Sequence, residues 1–175
     1  RLQGHPDKKK LNHVDSGTGA LGQGLSISIG YYLGSKLLNK KNKIFCLLGD
    51  GEIQEGQIWE SAMYIGAHKI KDIIVFIDGN KFQNERSISE TLPEKNLLEK
   101  WNSFGFKTTK INGHSLQALS KVIKGFLQNQ NKKPLLVYCD TIKGKGISFM
   151  ENNNKFHSVK DLSEENYKKA ISELS

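Results

Sequence analysis

Apolar residues in this chain fall into short unbroken runs that close on polar turns. Residues 44–48 (Ile-Phe-Cys-Leu-Leu) close on Gly49-Asp50-Gly51, and residues 73–77 (Ile-Ile-Val-Phe-Ile) close on Asp78-Gly79-Asn80. Continuous runs of this length suit strands covered on both faces, as in a parallel sheet. Between them, residues 57–69 have helical spacing, with Ile58, Ala62, Ile65 and Gly66 on one face. The three segments together read as a βαβ unit. Residues 107–111 predict a modest strand, and residues 135–139 an apolar strand opened by Pro134. Helical patterns run over residues 25–38, over residues 116–128 behind Ser115 as N-cap, and from Ser163 through Leu174. Residues 84–100 read as a connection ending in a short helix that Pro93 can begin, with Trp101 and Phe104 expected in the core. Residues 1–16 are polar and irregular and predict a loop. The pattern therefore predicts an α/β fold, a parallel sheet with helices on both faces.

Composition narrows the classes. The chain has 175 residues, enough for one domain with a core of its own, and neither a repeat nor a second boundary is visible, so residues 1–175 read as a single domain. It lacks a starting Met and opens inside a turn-like Gly4-His5-Pro6, so truncation at the N-terminus is expected. The net charge of +8 comes from 26 basic against 18 acidic residues. The lysines are scattered over turns and polar helix faces, which favours a solvated surface over a nucleic-acid interface and leaves room for attraction of anionic small molecules. Cys46 and Cys139 both lie in strand candidates and read as buried free thiols, which agrees with a reducing, cytoplasmic setting. No apolar run is long enough for a membrane span, and no signal peptide is visible.

Candidate chemistry collects at the strand ends. In parallel sheets, ligands sit at the carboxyl ends of the strands. Asp50 and Asn80 fall there on neighbouring loops and offer two hard oxygen ligands suited to Mg²⁺, which takes the rest of its shell from phosphate and water. Gly17, Gly19 and Gly22 match a G-x-G-x-x-G spacing, but a polar segment precedes them and no acid follows about 20 positions on, so nicotinamide binding is rejected. Those glycines either let a ligand approach the backbone or simply pack a tight turn. Thr141 to Gly146 is a basic, glycine-rich loop whose amides and Lys143 could touch phosphate, or an ordinary surface loop. His5 is held between Gly4 and Pro6 and is the better site candidate of the two N-terminal histidines. His68 reads as a helix-end cap and His114 as a turn residue. Glu55 and Glu60 either complement a helix dipole or form an acidic wall of a site. No Ser-His-Asp, Cys-His or zinc spacing is present. One alternative makes Asp50 the nucleophile of a Mg²⁺-dependent phosphohydrolase with Glu52 as second acid; it leaves Asn80 without a role.

Gly49-Asp50-Gly51 followed by Asn80 resembles the thiamine diphosphate motif. More closely, GDGEIQEGQIWESA with DGNKFQ is similar to the transketolase family, in particular the amino-terminal subunit of transketolases split over two chains. Gly4-His5-Pro6-Asp7, residues 18–24, Gly113-His114 and residues 141–146 follow in the family's order. The resemblance implies a thiamine diphosphate-binding fold and a transfer of two-carbon ketol units between sugar phosphates. By position it implies Mg²⁺ on Asp50, the Asn80 side chain and the Phe82 carbonyl. It implies cofactor contacts from Gly19, Leu21, Gly49, Gly51, Glu55, Asn80 and Lys143. His5 and His157 would face the thiazolium and the substrate, and Glu55 and Glu60 would lie near a subunit boundary. The family's His-Gly is His157-Ser158 here. The family's upstream helices are missing, and so is its pyrimidine-binding domain, which supplies a glutamate to the cofactor. The resemblance thus implies a partner chain carrying that domain, self-association into a heterotetramer, and no catalysis by this chain alone. A non-catalytic domain that kept the fold is a further alternative.

Overall fold

In the computed structural model, residues 3–84, 86–128, 132–158 and 162–175 are described. The two leading strands are β1 (Ile44–Gly49) and β2 (Ile73–Gly79), joined by helix α2 (Gly56–Ala67). Helix α1 (Gln23–Leu37) precedes them. After β2 come a two-residue strand pair, β3 (Phe82–Gln83) and β4 (Arg86–Ser87), and helices α3 (Ile88–Thr91) and α4 (Leu97–Ser103). The last elements are β5 (Lys107–Asn112), α5 (Leu116–Leu127), β6 (Leu135–Asp140) and α6 (Glu164–Leu174).

The sheet is wholly parallel in the order β1-β2-β6-β5. Handedness explains where the helices go. The steps β1 to β2 and β2 to β5 move the same way along the sheet, whereas β5 to β6 moves back. Right-handed crossovers then put α2 and α4 on one face and α5 on the other. The core divides accordingly. Leu25, Ile58, Ile65 and Trp101 meet Cys46, Leu48, Val75 and Ile77 on the first face. Phe126 meets Ile74, Phe76, Val137 and Cys139 on the second. The unbroken apolar run of β2 follows from this: its first five residues are all buried. Both cysteines are free and buried, and burial pushes the Cys46 thiol up to about 11, so it packs as a small apolar group.

Most predicted elements stand where the pattern put them. There are two exceptions. β1, expected to be covered on both faces, lies at the sheet edge and leaves Phe45 and Leu47 47% and 71% exposed, because the helix on that face, α5, packs over β2 and β6 instead. The other is the 84–100 connection. The helix there does not begin at Pro93; α4 starts at Leu97, after Asn96 in a left-handed conformation, and a separate turn of helix, α3, precedes it. Ser87 caps α3 in a capping box with Glu90, a local signal strong enough to start a helix ahead of the proline. The β3–β4 hairpin has no counterpart in the sequence pattern either, since two-residue strands carry no periodicity. Trp101 is fully buried, and half-buried Phe104 packs against the same cluster.

Gly66 shows how tightly α2 meets the turn before β5. A Cβ there would lie 1.6 Å from the Phe104 carbonyl oxygen, which is backbone and cannot rotate away. Gly66→Ala should therefore destabilise the chain by about 2–3 kcal/mol, read as a lower midpoint in urea with an unchanged slope.

Candidate functional site

The register brings the strand ends level. Gly49 stands beside Asp78, and Gly79 and Asn112 both stand beside Asp140. Asp50 follows β1 directly and is almost fully buried, at 5% exposure. Its backbone N–H donates to the Asp78 carbonyl at 3.3 Å. Its Oδ2 accepts from the Lys81 N–H at 2.5 Å. Its Oδ1 is buried and has no hydrogen-bond partner among the described residues. A carboxylate oxygen left in that state is costly unless something else takes it. Burial pushes the Asp50 carboxyl up to about 6, the Asp78 charge adds to the rise, and the Lys81 and Gly51 amides oppose it.

Asn80 lies on the adjoining turn. Its Oδ1 accepts from the Phe82 N–H at 2.9 Å, and its Nδ2 donates to Asp78 Oδ2 at 3.1 Å. Phe82 opens β3, whose partner strand returns the chain at once to α3. Gly51 is required by the same hairpin: a Cβ there would lie 2.6 Å from Gln83 Cβ. An orphaned carboxylate oxygen and an amide oxygen with a second lone pair are of the type that suits a hard divalent cation. A cavity of about 750 Å³ opens beside them, with Asp50, Ile53, Lys81, Phe82, Leu97 and Tyr138 in its wall.

Three loops are fastened to this pair of strand ends. Glu52, in the turn after Gly51, accepts from the Gly49 N–H and the Gly22 N–H, each at 3.0 Å. It ties the glycine loop to β1 through both carboxylate oxygens. The N-terminal loop lies on that glycine loop in turn: the Thr18 N–H donates to the Pro6 carbonyl at 3.1 Å, and the His5 ring stands 3.2 Å from where a Gly19 Cβ would be. On the other side, Asn154 Nδ2 donates to the Gln83 carbonyl at 2.9 Å and so holds the 150s loop against β3. In that loop, His157 Nδ1 lies 3.1 Å from Lys143 Nζ. Partial burial and the Lys143 ammonium hold the His157 imidazole below its ordinary range. An ammonium only donates, so Nδ1 is the accepting nitrogen in this contact.

Geometry groups the candidates in three clusters: Asp50, Gly51, Asn80 and Phe82; His5 with Gly19; and His157 with Lys143. Among the described residues, no hydrogen bond joins either histidine to Asp50 or Asn80. Leu21 is 61% exposed beside the glycine loop. Glu55 is exposed rather than buried; it occupies the N-cap of α2 without a side-chain capping bond and packs on Gly22. Glu60 is likewise exposed. His68 is the C-cap residue of α2, its ring 4.2 Å from that of Tyr64. His114 does more than hold a turn: its Nε2 accepts from the Ile142 N–H at 2.8 Å and anchors the loop that carries Lys143. Sequence reasoning missed the bridging role of Glu52, because an acid two residues after Asp50 looks like a second catalytic carboxylate. It also missed Asp78, for which the only signal was an acid two residues before Asn80 at a strand end.

A parallel α/β sheet that gathers loops and polar side chains at its strand ends belongs to the class of domains that bind ligands there. Comparison with known proteins makes the class specific. The sequence profile described as "Transketolase, thiamine diphosphate binding domain" matches residues 1–174. The 6-deoxy-6-sulfo-D-fructose transketolase subunit SqwG of Clostridium sp. (strain MSTE9) is 38% identical over 173 residues, 99% of this chain and 62% of that protein. One of the apulose-4-phosphate transketolase subunits of Phocaeicola vulgatus is 33% identical over 174 residues, 99% of this chain and 61% of that protein. The solved transketolase of Campylobacter jejuni superposes with a TM-score of 0.85 at 30% identity, over 96% of this chain and 27% of that one. The chain belongs to the transketolase thiamine diphosphate-binding domain family. It spans less than two thirds of the length of the curated relatives named here.

Two outcomes follow from the geometry. In the ligand-free chain, Asp50 holds its proton more tightly when folded, with a pKa of about 6 against 3.8. Its contribution to stability is then full below 3.8 and lost as pH rises through about 6. Thermal melts between pH 4 and 8 should show this loss, and Asp50→Asn should remove it and raise stability at pH 7. Glu52→Ala leaves the Gly22 and Gly49 amides without an acceptor and should cost about 2–3 kcal/mol. Glu52→Gln, which keeps one acceptor oxygen, should cost less in the same denaturant titration.

Proposed function

We propose that this chain is the diphosphate-binding half of a two-chain, transketolase-like enzyme that moves a two-carbon ketol unit from a ketose phosphate to an aldose phosphate. One observation carries the reading: Asp50 keeps a buried, unpartnered carboxylate oxygen at the end of β1, next to the Asn80 amide on the turn after β2. In this reading Asp50, the Asn80 side chain and the Phe82 carbonyl would hold Mg²⁺, which would offset the charge of the cofactor diphosphate. Gly49 and Gly51 leave room for that diphosphate, and Lys143 adds positive charge. Gly19 and Leu21 lie against the aminopyrimidine. His5 and His157 face the thiazolium and the substrate. Glu55 reaches across a subunit boundary, which accords with its exposure here. Bound thiamine diphosphate supplies the covalent chemistry, and the protein supplies orientation and charge.

The relatives named as subunits of transketolases support a partner chain. That partner carries the pyrimidine-binding domain, and the pair self-associates into a heterotetramer in the cytoplasm. No helix among the described residues is long and apolar enough to cross a membrane. The phosphohydrolase alternative loses its second acid, because both Glu52 oxygens are taken by backbone amides.

Calorimetric titration of the chain with thiamine diphosphate, with and without Mg²⁺ and with the partner subunit present, tests the proposal. Binding should require Mg²⁺, and Asp50→Ala should abolish it. Binding that survives Asp50→Ala removes Asp50 from the metal site, and no Mg²⁺-dependent binding at all counts against the reading. Hydrolysis of phosphomonoesters by the isolated chain would favour the phosphohydrolase.

A further inference from the structure

Asp78 has a task that the metal ligands themselves cannot perform. An asparagine can turn either its oxygen or its NH₂ group toward a neighbour, and the two ends have nearly the same shape. A cation needs the oxygen, so a metal site that uses Asn80 needs something to stop the amide from turning over. Three contacts converge on this point. The Asp78 carboxylate, half-buried at the end of β2, faces Asn80 with Oδ2, which accepts from Asn80 Nδ2 at 3.1 Å. An ionised carboxylate accepts only, so the NH₂ end is the end it selects. The other oxygen, Oδ1, accepts from the Thr141 hydroxyl, on the residue directly after β6. The Phe82 N–H, also a donor, takes the opposite end of the amide at 2.9 Å and demands an oxygen there.

We propose that Asp78, clamped by Thr141, is the positioning residue that locks the Asn80 amide with its oxygen toward the metal site. This inference rests on the proposed magnesium role of Asn80. It adds a reason for the parallel order of the sheet: β2 supplies Asp78 and leads into Asn80, while its neighbour β6 delivers Thr141 level with them. Asp78 also accepts the Asp50 N–H through its backbone carbonyl at 3.3 Å, so one residue aligns both metal-facing side chains. Partners that orient a metal ligand without touching the metal typically change affinity 10–100-fold when removed.

Mn²⁺ is the probe, because it takes the place of Mg²⁺ and is visible by electron paramagnetic resonance. The full chain, with thiamine diphosphate and the partner chain present, would be titrated with Mn²⁺, and the coordinated waters counted from line broadening in ¹⁷O-enriched water. Asp78→Ser should weaken Mn²⁺ about 10–100-fold and add a water where the Asn80 oxygen was lost. Asp78→Asn should restore most of the affinity and the original water count, since its oxygen can accept from Asn80 while its NH₂ donates to Thr141 Oγ. Adding Thr141→Val to Asp78→Asn removes that acceptor and should undo the rescue. A general loss of folding would not give one extra water with selective rescue, and Asp78→Asn keeps the test usable if Asp78→Ser does not fold. Equal affinity and water count in the unaltered chain and both Asp78 variants would overturn the role of Asp78 while leaving the metal site standing. Absence of Mn²⁺ binding in the unaltered complex would overturn the metal site and this inference together.

Discussion

Burial of the Asp50 carboxylate at the meeting of two strand ends is the constraint on which the rest of the site depends. A charge held at 5% exposure is unfavourable unless it is compensated. One of its oxygens is satisfied by the Lys81 amide, and the other is left for a ligand. The β1–β2 register makes this possible, because it sets Asp50 against the turn that carries Lys81, Asn80 and Phe82. Gly51 lets that turn approach, since any side chain there would strike Gln83. The buried, unpartnered oxygen thus costs stability that the surrounding fold has to offset.

Around that centre the chain uses backbone amides and side-chain oxygens as stitches. Glu52 spans from β1 to the glycine loop, Asn154 spans from the C-terminal loop to β3, and His114 holds the loop that carries Lys143. Each stitch links segments far apart in sequence. They give loops of little apolar content a defined position over a rigid sheet, the arrangement by which α/β folds present ligands at their strand ends. Some surface lysines join in: Lys143 meets His157, Lys81 and Lys110 both pair with Asp140, and Lys145 pairs with Glu151.

Much of this was legible beforehand, and for identifiable reasons. The apolar runs at 44–48 and 73–77 were readable as strands, but only β2 is covered on both faces, since Phe45 and Leu47 of β1 stand exposed, and Ser115 and Ser163 did serve as side-chain caps. The strand-end places of Asp50 and Asn80 were readable because a polar residue directly after a parallel strand falls at its carboxyl end. The 84–100 segment misled because the capping box at Ser87 and Glu90 starts a separate turn of helix, and α4 begins only after Asn96 rather than at Pro93. Glu52 misled because its residue type fits catalysis and structure equally, and only its two amide contacts decide between them.

What the sequence determined by itself was the class of fold, the strand-end positions of Asp50 and Asn80 and the membership of the chain in its family. These rest on local patterns: period, turn residues and short motifs whose order survives without coordinates. What the tertiary structure alone decided was which oxygens are free and which are taken. That Asp50 Oδ1 is open while both Glu52 oxygens are occupied, and that Asp78 dictates the sense of the Asn80 amide, depends on hydrogen bonds across 30 residues for Glu52 to Gly22 and 63 for Thr141 to Asp78. Such pairings are set by strand order and register, and no periodicity within a single segment encodes them.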